Sequence, residues 1–179
     1  CEPLAYHHAG AADFASAARY AEMAGDKAMS ASSIDRAKTQ YRAALEMLDR
    51  LPSTPERYQL WRSVARRFGL ATVFDPSREE KALLRRAVDK ARAHGDTTGQ
   101  AYAQYWLAYL HYALGESKDA LLHCEEALDL ATRLQDGPLI VQVRTTLGQA
   151  AASAADYGRA VELLDEMASA VRERRSGGR

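Results

Sequence analysis

The sequence predicts an all-α protein, an α-solenoid of antiparallel helical hairpins laid side by side. Three observations predict it. Small and apolar residues recur at helical spacing along most of the chain. Clusters of Gly, Pro, Ser and Asp interrupt them at short intervals. The pattern also returns about 40 residues further on. The clearest stretch runs from Ala101 to Leu134, two amphipathic helices joined by a turn at Leu114-Gly115-Glu116. In its second helix Ala120, Leu121, Cys124, Ala127, Leu128 and Ala131 share one face. Lys118, Asp119, Glu125, Glu126, Asp129 and Arg133 fill the other. Ala108, Ala120 and Ala127 carry only a methyl group, so neighbouring helix axes can approach closely. One such pair cannot cover its own apolar stripe and needs copies on both sides.

The copies are present. A step of about 40 residues carries Ala120, Cys124, Ala127 and Ala131 onto Ala160, Leu164, Met167 and Val171. The same step carries Leu107-Ala108 onto Leu147-Gly148, and Asp96 onto Asp136. Stepping back gives Glu80, Leu84, Ala87 and Ala91, a weaker match whose first position is charged, and an earlier degenerate unit shows Ala37, Tyr41, Ala44 and Leu48.

From the start of the chain, Leu4, Ala5 and His8 read as the end of a first helix whose front half is missing, as in a piece of a longer protein. Asp13 to Ala24 is its expected partner, with Ala17, Ala21 and Ala24 on the packing face. Gly25 then opens a short helix, a turn at Ser32-Ser33, and a long helix carrying Ile34, Ala37, Tyr41, Ala44, Leu45 and Leu48. Leu51-Pro52-Ser53-Thr54-Pro55-Glu56 stops one helix and starts another, with Ser53 and Glu56 spaced for a capping box. Ser77 and Glu80 repeat that spacing after Asp75-Pro76. His94-Gly95-Asp96 and Gln135-Asp136-Gly137-Pro138 close the next pairs. The expected units are roughly 1–24, 25–50, 55–95, 97–134 and 138–174, one repeat domain over 1–179. The tail at 175–179, ending Ser176-Gly177-Gly178-Arg179, is expected to be disordered.

With Leu107-Ala108, the turn glycine Gly115 and the pair Ala120 and Ala127 around Cys124, the chain resembles the tetratricopeptide (TPR) family. It departs from the family pattern at Gln104, where an aromatic is usual, and at Thr132, where a proline closes the unit. The repeat is also longer than the family's basic one. HEAT-type repeats share the longer period, and the alanine-and-glycine signature favours TPR. The resemblance implies TPR-like hairpins wound into a right-handed superhelix whose first helices line a concave groove. The segments AYHHAGAADFASAARYAEMAGDKAM and AKTQYRAALEMLDRLPSTPER resemble more specifically a repeat region in bacterial multidomain signalling proteins. That region follows an AAA/STAND-type ATPase module, as in class III adenylate or guanylate cyclases and related transcriptional activators. This second resemblance implies a cytoplasmic regulatory or partner-binding region, with catalysis elsewhere in the parent protein.

Composition agrees with a helical chain: 47% of residues are hydrophobic, with 5 Pro and 11 Gly in 179. Twenty-four basic residues balance 24 acidic ones, which gives no electrostatic case for nucleic acid or an anionic membrane. No apolar run reaches the length of a membrane span, and no signal peptide opens the chain. Cys1 and Cys124 form no disulfide framework, and Cys124 on the apolar stripe reads as a small buried hydrophobe.

No phosphate loop, GxGxxG, CxxC or HExxH occurs, so no enzyme, metal or cofactor is expected. His7 and His8 are adjacent and point about 100° apart on a helix, so they read as packed or capped residues. His111 and His123-Cys124 could meet across the hairpin, but zinc would want a further ligand. Glu79-Glu80 and Glu125-Glu126 read as solvated faces. Arg172, Arg174, Arg175 and Arg179 read as favourable charge at a helix C-terminus. Basic residues crowd the third unit, from Arg57 through Arg92, and acidic ones the next, from Glu116 through Asp136.

The sharpest functional feature is aromatic. Tyr102, Tyr105, Tyr109 and Tyr112 form one stripe along the first helix of the best repeat, rotated away from Leu107, Ala108 and His111. The corresponding positions one repeat earlier bring Arg62, with Arg66 nearby, and one repeat later Gln142, Thr145 and Gln149. Tyrosine offers stiff contact area with a hydroxyl, and arginine a fork for carboxylates. The expected function is a non-catalytic interaction or regulatory module that binds a peptide, or a neighbouring domain, through these residues. The alternative is self-association of the chain into a homo-oligomer within a nucleotide cyclase or ATPase-type regulator.

Overall fold

A computed structural model describes residues 1–165, and every regular element among them is helical. The all-α expectation therefore holds. Met167, Val171, Arg172, Arg174, Arg175 and the tail at 175–179 lie outside the described residues. The chain divides into two compact units, Cys1–Asp75 and Pro76–Arg179.

The first unit holds α1 (Glu2–Gly10), α2 (Phe14–Ser30), α3 (Ile34–Asp49) and α4 (Pro55–Phe74), each packed on the next. Helix α1 buries no residue, and its Glu2 is gripped by the Arg36 fork at 2.6 and 2.8 Å. The core is built from Ala17, Ala21 and Ala24 of α2, Tyr41, Ala44 and Leu45 of α3, and Val64 and Phe68 of α4. On α3, Lys38 is 4% exposed, and its ammonium donates to the Asp75 carbonyl at 2.7 Å. A buried lysine thereby satisfies the open C-terminal end of α4.

Two local expectations need correction here. Helix α2 runs on through Gly25, where a break between units was expected. Gly25 is buried, and a Cβ placed there would sit 2.5 Å from the Tyr41 ring. The glycine is a packing residue that lets Tyr41 lie flat on the helix. The cap of α4 is Thr54 rather than Ser53: its side chain accepts the Arg57 amide at 3.3 Å. The reason is Pro55. A residue before proline is driven to extended backbone, and Thr54 has φ −128° and ψ 160°, so it cannot be the first helical residue.

The second unit opens with a 3-10 turn (Arg78–Glu80). Then come α5 (Lys81–Ala93), α6 (Thr97–Ala113), α7 (Ser117–Arg133), α8 (Gly137–Ser153) and a last helical stretch at 157–165. Ser77 does cap, but it caps the 3-10 turn, accepting the Glu79 amide at 3.3 Å, and Glu80 is buried. Helix α6 packs against α5, α7 and α8. Ala101, Ala108, Cys124, Ala127, Ala131, Leu139, Val143 and Leu147 form one core cluster. Gly148 is buried opposite Leu164: a Cβ there would lie 3.0 Å from two atoms of that side chain.

One turn design recurs in both units. A residue with positive φ stands at positions 12, 32, 95, 115, 135 and 155, and the residue after it begins the next helix as its cap. In each case the capping residue's own amide reaches back to the preceding helix. Asp13 bonds His8, Ser33 Ala28, Asp96 Ala91, Glu116 His111, Asp136 Ala131 and Asp156 Ala151, at 2.8–3.1 Å. This is the Schellman closure, which satisfies carbonyls left open at a helix end. It comes round every 20 residues from 12 to 32 and again from 95 to 155, so over those stretches the sequence period of about 40 is two helices, each with its turn.

Candidate functional site

The tyrosine stripe lies on α6, in the second unit. All four rings are half-buried. Tyr102 and Tyr105 pack against the core cluster, so they are held by the fold as well as presented by it. The Tyr102 hydroxyl donates to Asp136 Oδ2 at 3.1 Å, while Asp136 Oδ1 accepts the Leu139 amide at 3.0 Å. One carboxylate therefore caps α8 and ties α6 to it. Tyr105 has Thr146 of α8 as its side-chain hydrogen-bond partner, and burial raises its phenol above the ordinary range. Tyr102 leans on Trp106 with ring centroids 5.8 Å apart. Tyr109 and Tyr112 meet nearly edge-on, with centroids 6.2 Å apart and planes at 66°.

On α8, Gln142 and Gln149 are exposed and Thr145 is half-buried, its hydroxyl donating to the Val141 carbonyl at 2.8 Å. The structure thus places Tyr102, Tyr105, Tyr109, Tyr112, Gln142, Thr145 and Gln149 on two helices that touch. Arg62 and Arg66 belong to α4 of the first unit, where Arg62 is half-buried and Arg66 exposed.

A second polar constellation lies on the other side of α6. His111, 1% exposed, and His123 of α7 stack with centroids 5.2 Å apart and planes at 23°. The expected meeting across the hairpin is therefore real, but Cys124 takes no part. Its thiol is fully buried in the core and pushed up to about 12 by burial, which makes it unreactive. His111 Nδ1 lies 2.6 Å from Glu116 Oε2, and Lys81 of α5 bonds the same carboxylate. Lys81 first, then His111, holds Glu116 below the usual carboxylate range. His123 Nδ1 lies 2.8 Å from Gln104 Oε1, and the Gln104 amide donates to Glu126. Gln104, the position where the TPR pattern carries an aromatic, is thus a buried hydrogen-bonding residue. Burial, with His111 and Arg85 as nearby charges, pushes His123 down to about 4.

The ligand atoms of His111, Glu116 and Asp119 lie within 4.8 Å of one another. Lys81 already compensates Glu116, and Arg78 stands 3.8 Å from its other oxygen. A cation would have to enter against both, and the donors fit the structural role better than a metal. Sequence reasoning missed Glu116, Lys81 and Gln104 as members of this constellation. The only signal was a buried position occupied by Gln where an apolar residue was expected.

His8 is likewise structural: its Nδ1 lies 3.0 Å from Asp13 Oδ2 and its ring stacks on Tyr20 at 5.2 Å. Among the described residues no helix is long and apolar enough to cross a membrane. No protein-family model matches the chain, and no curated protein matches it.

Proposed function

We propose that the chain is a non-catalytic interaction module, a TPR-like solenoid whose α6 and α8 present a peptide-binding groove. In this reading it serves a larger bacterial, cytoplasmic signalling protein of the AAA/STAND ATPase or nucleotide-cyclase kind, as a regulatory arm. The observation that carries the reading is the half-burial of the tyrosine stripe beside exposed glutamines of α8. Tyr102 is anchored by Asp136 and, with Tyr105, by the core, so these two rings lose little freedom on binding, and all four rings stay partly exposed. Contact of α6 with both α7 and α8, and the turn that returns every 20 residues from 95 to 155, support the repeat architecture.

The test is an arrayed library of extended and helical peptides probed with the full chain and with Tyr105→Ala/Tyr109→Ala. The expected result is peptides that bind the parent and lose at least about tenfold in affinity for the double variant, with helical circular dichroism retained. Equal binding by both proteins removes the groove.

Self-association is the second reading, and an observation favours it. Leu4 and Tyr6 of α1 are 46% and 79% exposed on a helix that buries nothing. Light scattering over a concentration series should then show mass rising above that of one chain, and Leu4→Glu/Tyr6→Glu should abolish the rise. A constant single-chain mass counts against it.

A further inference from the structure

Helix α1 differs from its neighbours in how it is held. Among the described residues it is the one helix of α1–α8 that buries no side chain. It is tied to α3 by the Arg36 fork on Glu2 and to α2 by the His8 ring, stacked on Tyr20 at 5.2 Å. A cavity of about 320 Å³ remains where α1 meets α2 and the start of α3, lined by Pro3, Ala24, Lys27, Ala28 and Arg36 among others. Apolar burial, which fixes the other helices, therefore does little to hold this one.

The turn that joins α1 to α2 is strained. Ala12 stands at φ 58°, a left-handed conformation that its Cβ makes costly. Alanine is also the best helix former, and Ala9-Gly10-Ala11-Ala12 places three of them at the bend. When α1 swings out, residues 11–13 can straighten, and α1 and α2 run on as one helix from Glu2 to Ser30. The Asp13 amide then exchanges its 2.9 Å bond to the His8 carbonyl for the ordinary helical one. Ser32 and Gln135 carry the same strain, but each joins two helices with buried faces.

Swinging out leaves the seat on α2 and α3 empty. Its full complement is carried by α1 of a second copy, whose Glu2 and His8 can meet Arg36 and Tyr20 as they do within one chain. The exchange is reciprocal, so both seats are refilled. The two long helices then cross at their former bends, where Ala9, Gly10, Ala11 and Ala12 present nothing larger than a methyl group.

We propose that the chain dimerises by exchanging α1, with α1 of each copy seated on α2 and α3 of the other. This rests on the self-association reading and names its mechanism. A short, strained hinge favours such exchange, because opening it releases strain while every contact is made again.

The test uses Glu2→Arg and Arg36→Glu in the full chain, one carrying a tag of different mass, co-refolded in equal amounts. Each variant alone sets like charges together wherever α1 is seated, within one chain or between two. Only an exchanged dimer with one chain of each kind sets opposite charges together at both seats. Light scattering over a concentration series should show the parent reaching the mass of two chains. The mixture should associate at least about tenfold more tightly than either variant alone, and native mass spectrometry should find one chain of each kind. Ala12→Gly eases the turn and weakens the through-going helix, so it should weaken the parent dimer at least about tenfold. A mixture that associates no more tightly than its components, or a parent dimer indifferent to Ala12→Gly, overturns the exchange. If either happens while Leu4→Glu/Tyr6→Glu still abolishes the rise in mass, association through the exposed face survives and only the exchange falls. A parent that keeps the mass of one chain removes both.

Discussion

Gly25 and Tyr41 show how one packing problem between neighbouring helices is solved in different ways. Gly25 gives up its side chain so that the Tyr41 ring can lie against α2, with the Tyr41 hydroxyl donating to Asp26 at 2.8 Å. In the second unit Gly148 stands opposite Leu164 in the same way, and Ala108 shares a core with the smaller Cys124. The separation along the chain is the same in all three pairs, so volume removed from one helix is restored by the other. Gly25→Ala should therefore destabilise the first unit by about 1–3 kcal/mol, since the tyrosine must leave its place. Tyr41→Leu should lose packing and a hydrogen bond by itself. Combined with Gly25→Ala it should cost less than the two single changes added together. Urea unfolding of the four proteins measures this, and strict additivity would show that the pair does not interact.

His123 makes a separate claim at the same scale. Its proton affinity is depressed in the fold, from 6.5 to about 4, so the unfolded chain takes up this proton more readily. Its contribution is whole above about pH 6.5 and is lost as the pH falls toward 4. Glu116, a carboxylate held low by Lys81, loses its contribution only at lower pH. His123→Gln should therefore flatten the stability profile between pH 6.5 and 4 and leave the more acidic limb in place. Denaturant midpoints across that range would show it, and an unchanged slope would refute the assignment.

At the scale of the element, the recurring turn sets the lengths of the helices. Four of its six left-handed positions are held by residues other than glycine: Ala12, Ser32, Gln135 and Ala155. That conformation costs a residue with a Cβ about 1–2 kcal/mol, and glycine returns about 0.4–1 kcal/mol of this as extra freedom in the unfolded chain. Ala155→Gly should therefore stabilise by roughly 0.5–1 kcal/mol, raising the thermal midpoint by about 1–4 °C. Gly115→Ala should shift it in the opposite direction. Equal midpoints for the two variants would mean that the turn conformation is not limiting.

These turns also mark what could be read from residues alone. His94-Gly95-Asp96 and Gln135-Asp136-Gly137-Pro138 announced their turns because Gly and Pro have local conformational preferences. Ala12 and Ala155 gave no such sign, since tertiary closure imposes their backbone. Gly25 was misleading for the converse reason: its role is set by a ring from another helix. The tyrosine stripe was legible as a stripe, from spacing within one helix. Its depth was not, because α8 decides it through Asp136 and Thr146. The Glu116–Lys81 and Gln104–Glu126 contacts join side chains from different helices, and helical periodicity is silent about such pairs.

At the scale of the molecule, packing within each unit runs between helices that are neighbours in the chain, with α6 also meeting α8. In the solenoid proposed above, stability is a sum of local terms and nearest-neighbour interfaces, not the property of one shared core. A cavity in one unit should then be felt in that unit first. Leu147 is 2% exposed and belongs to the cluster that joins α6, α7 and α8. Leu147→Ala should remove about 2–5 kcal/mol from that cluster. Native-state hydrogen exchange reads the consequence amide by amide. Protection should fall through α6, α7 and α8, while the amides of α2 and α3, whose core of Ala17, Tyr41 and Leu45 is untouched, keep their parent rates. A fall of equal size in all five helices would mean that the chain opens as a single cooperative body, and that the proposed solenoid accounting is mistaken.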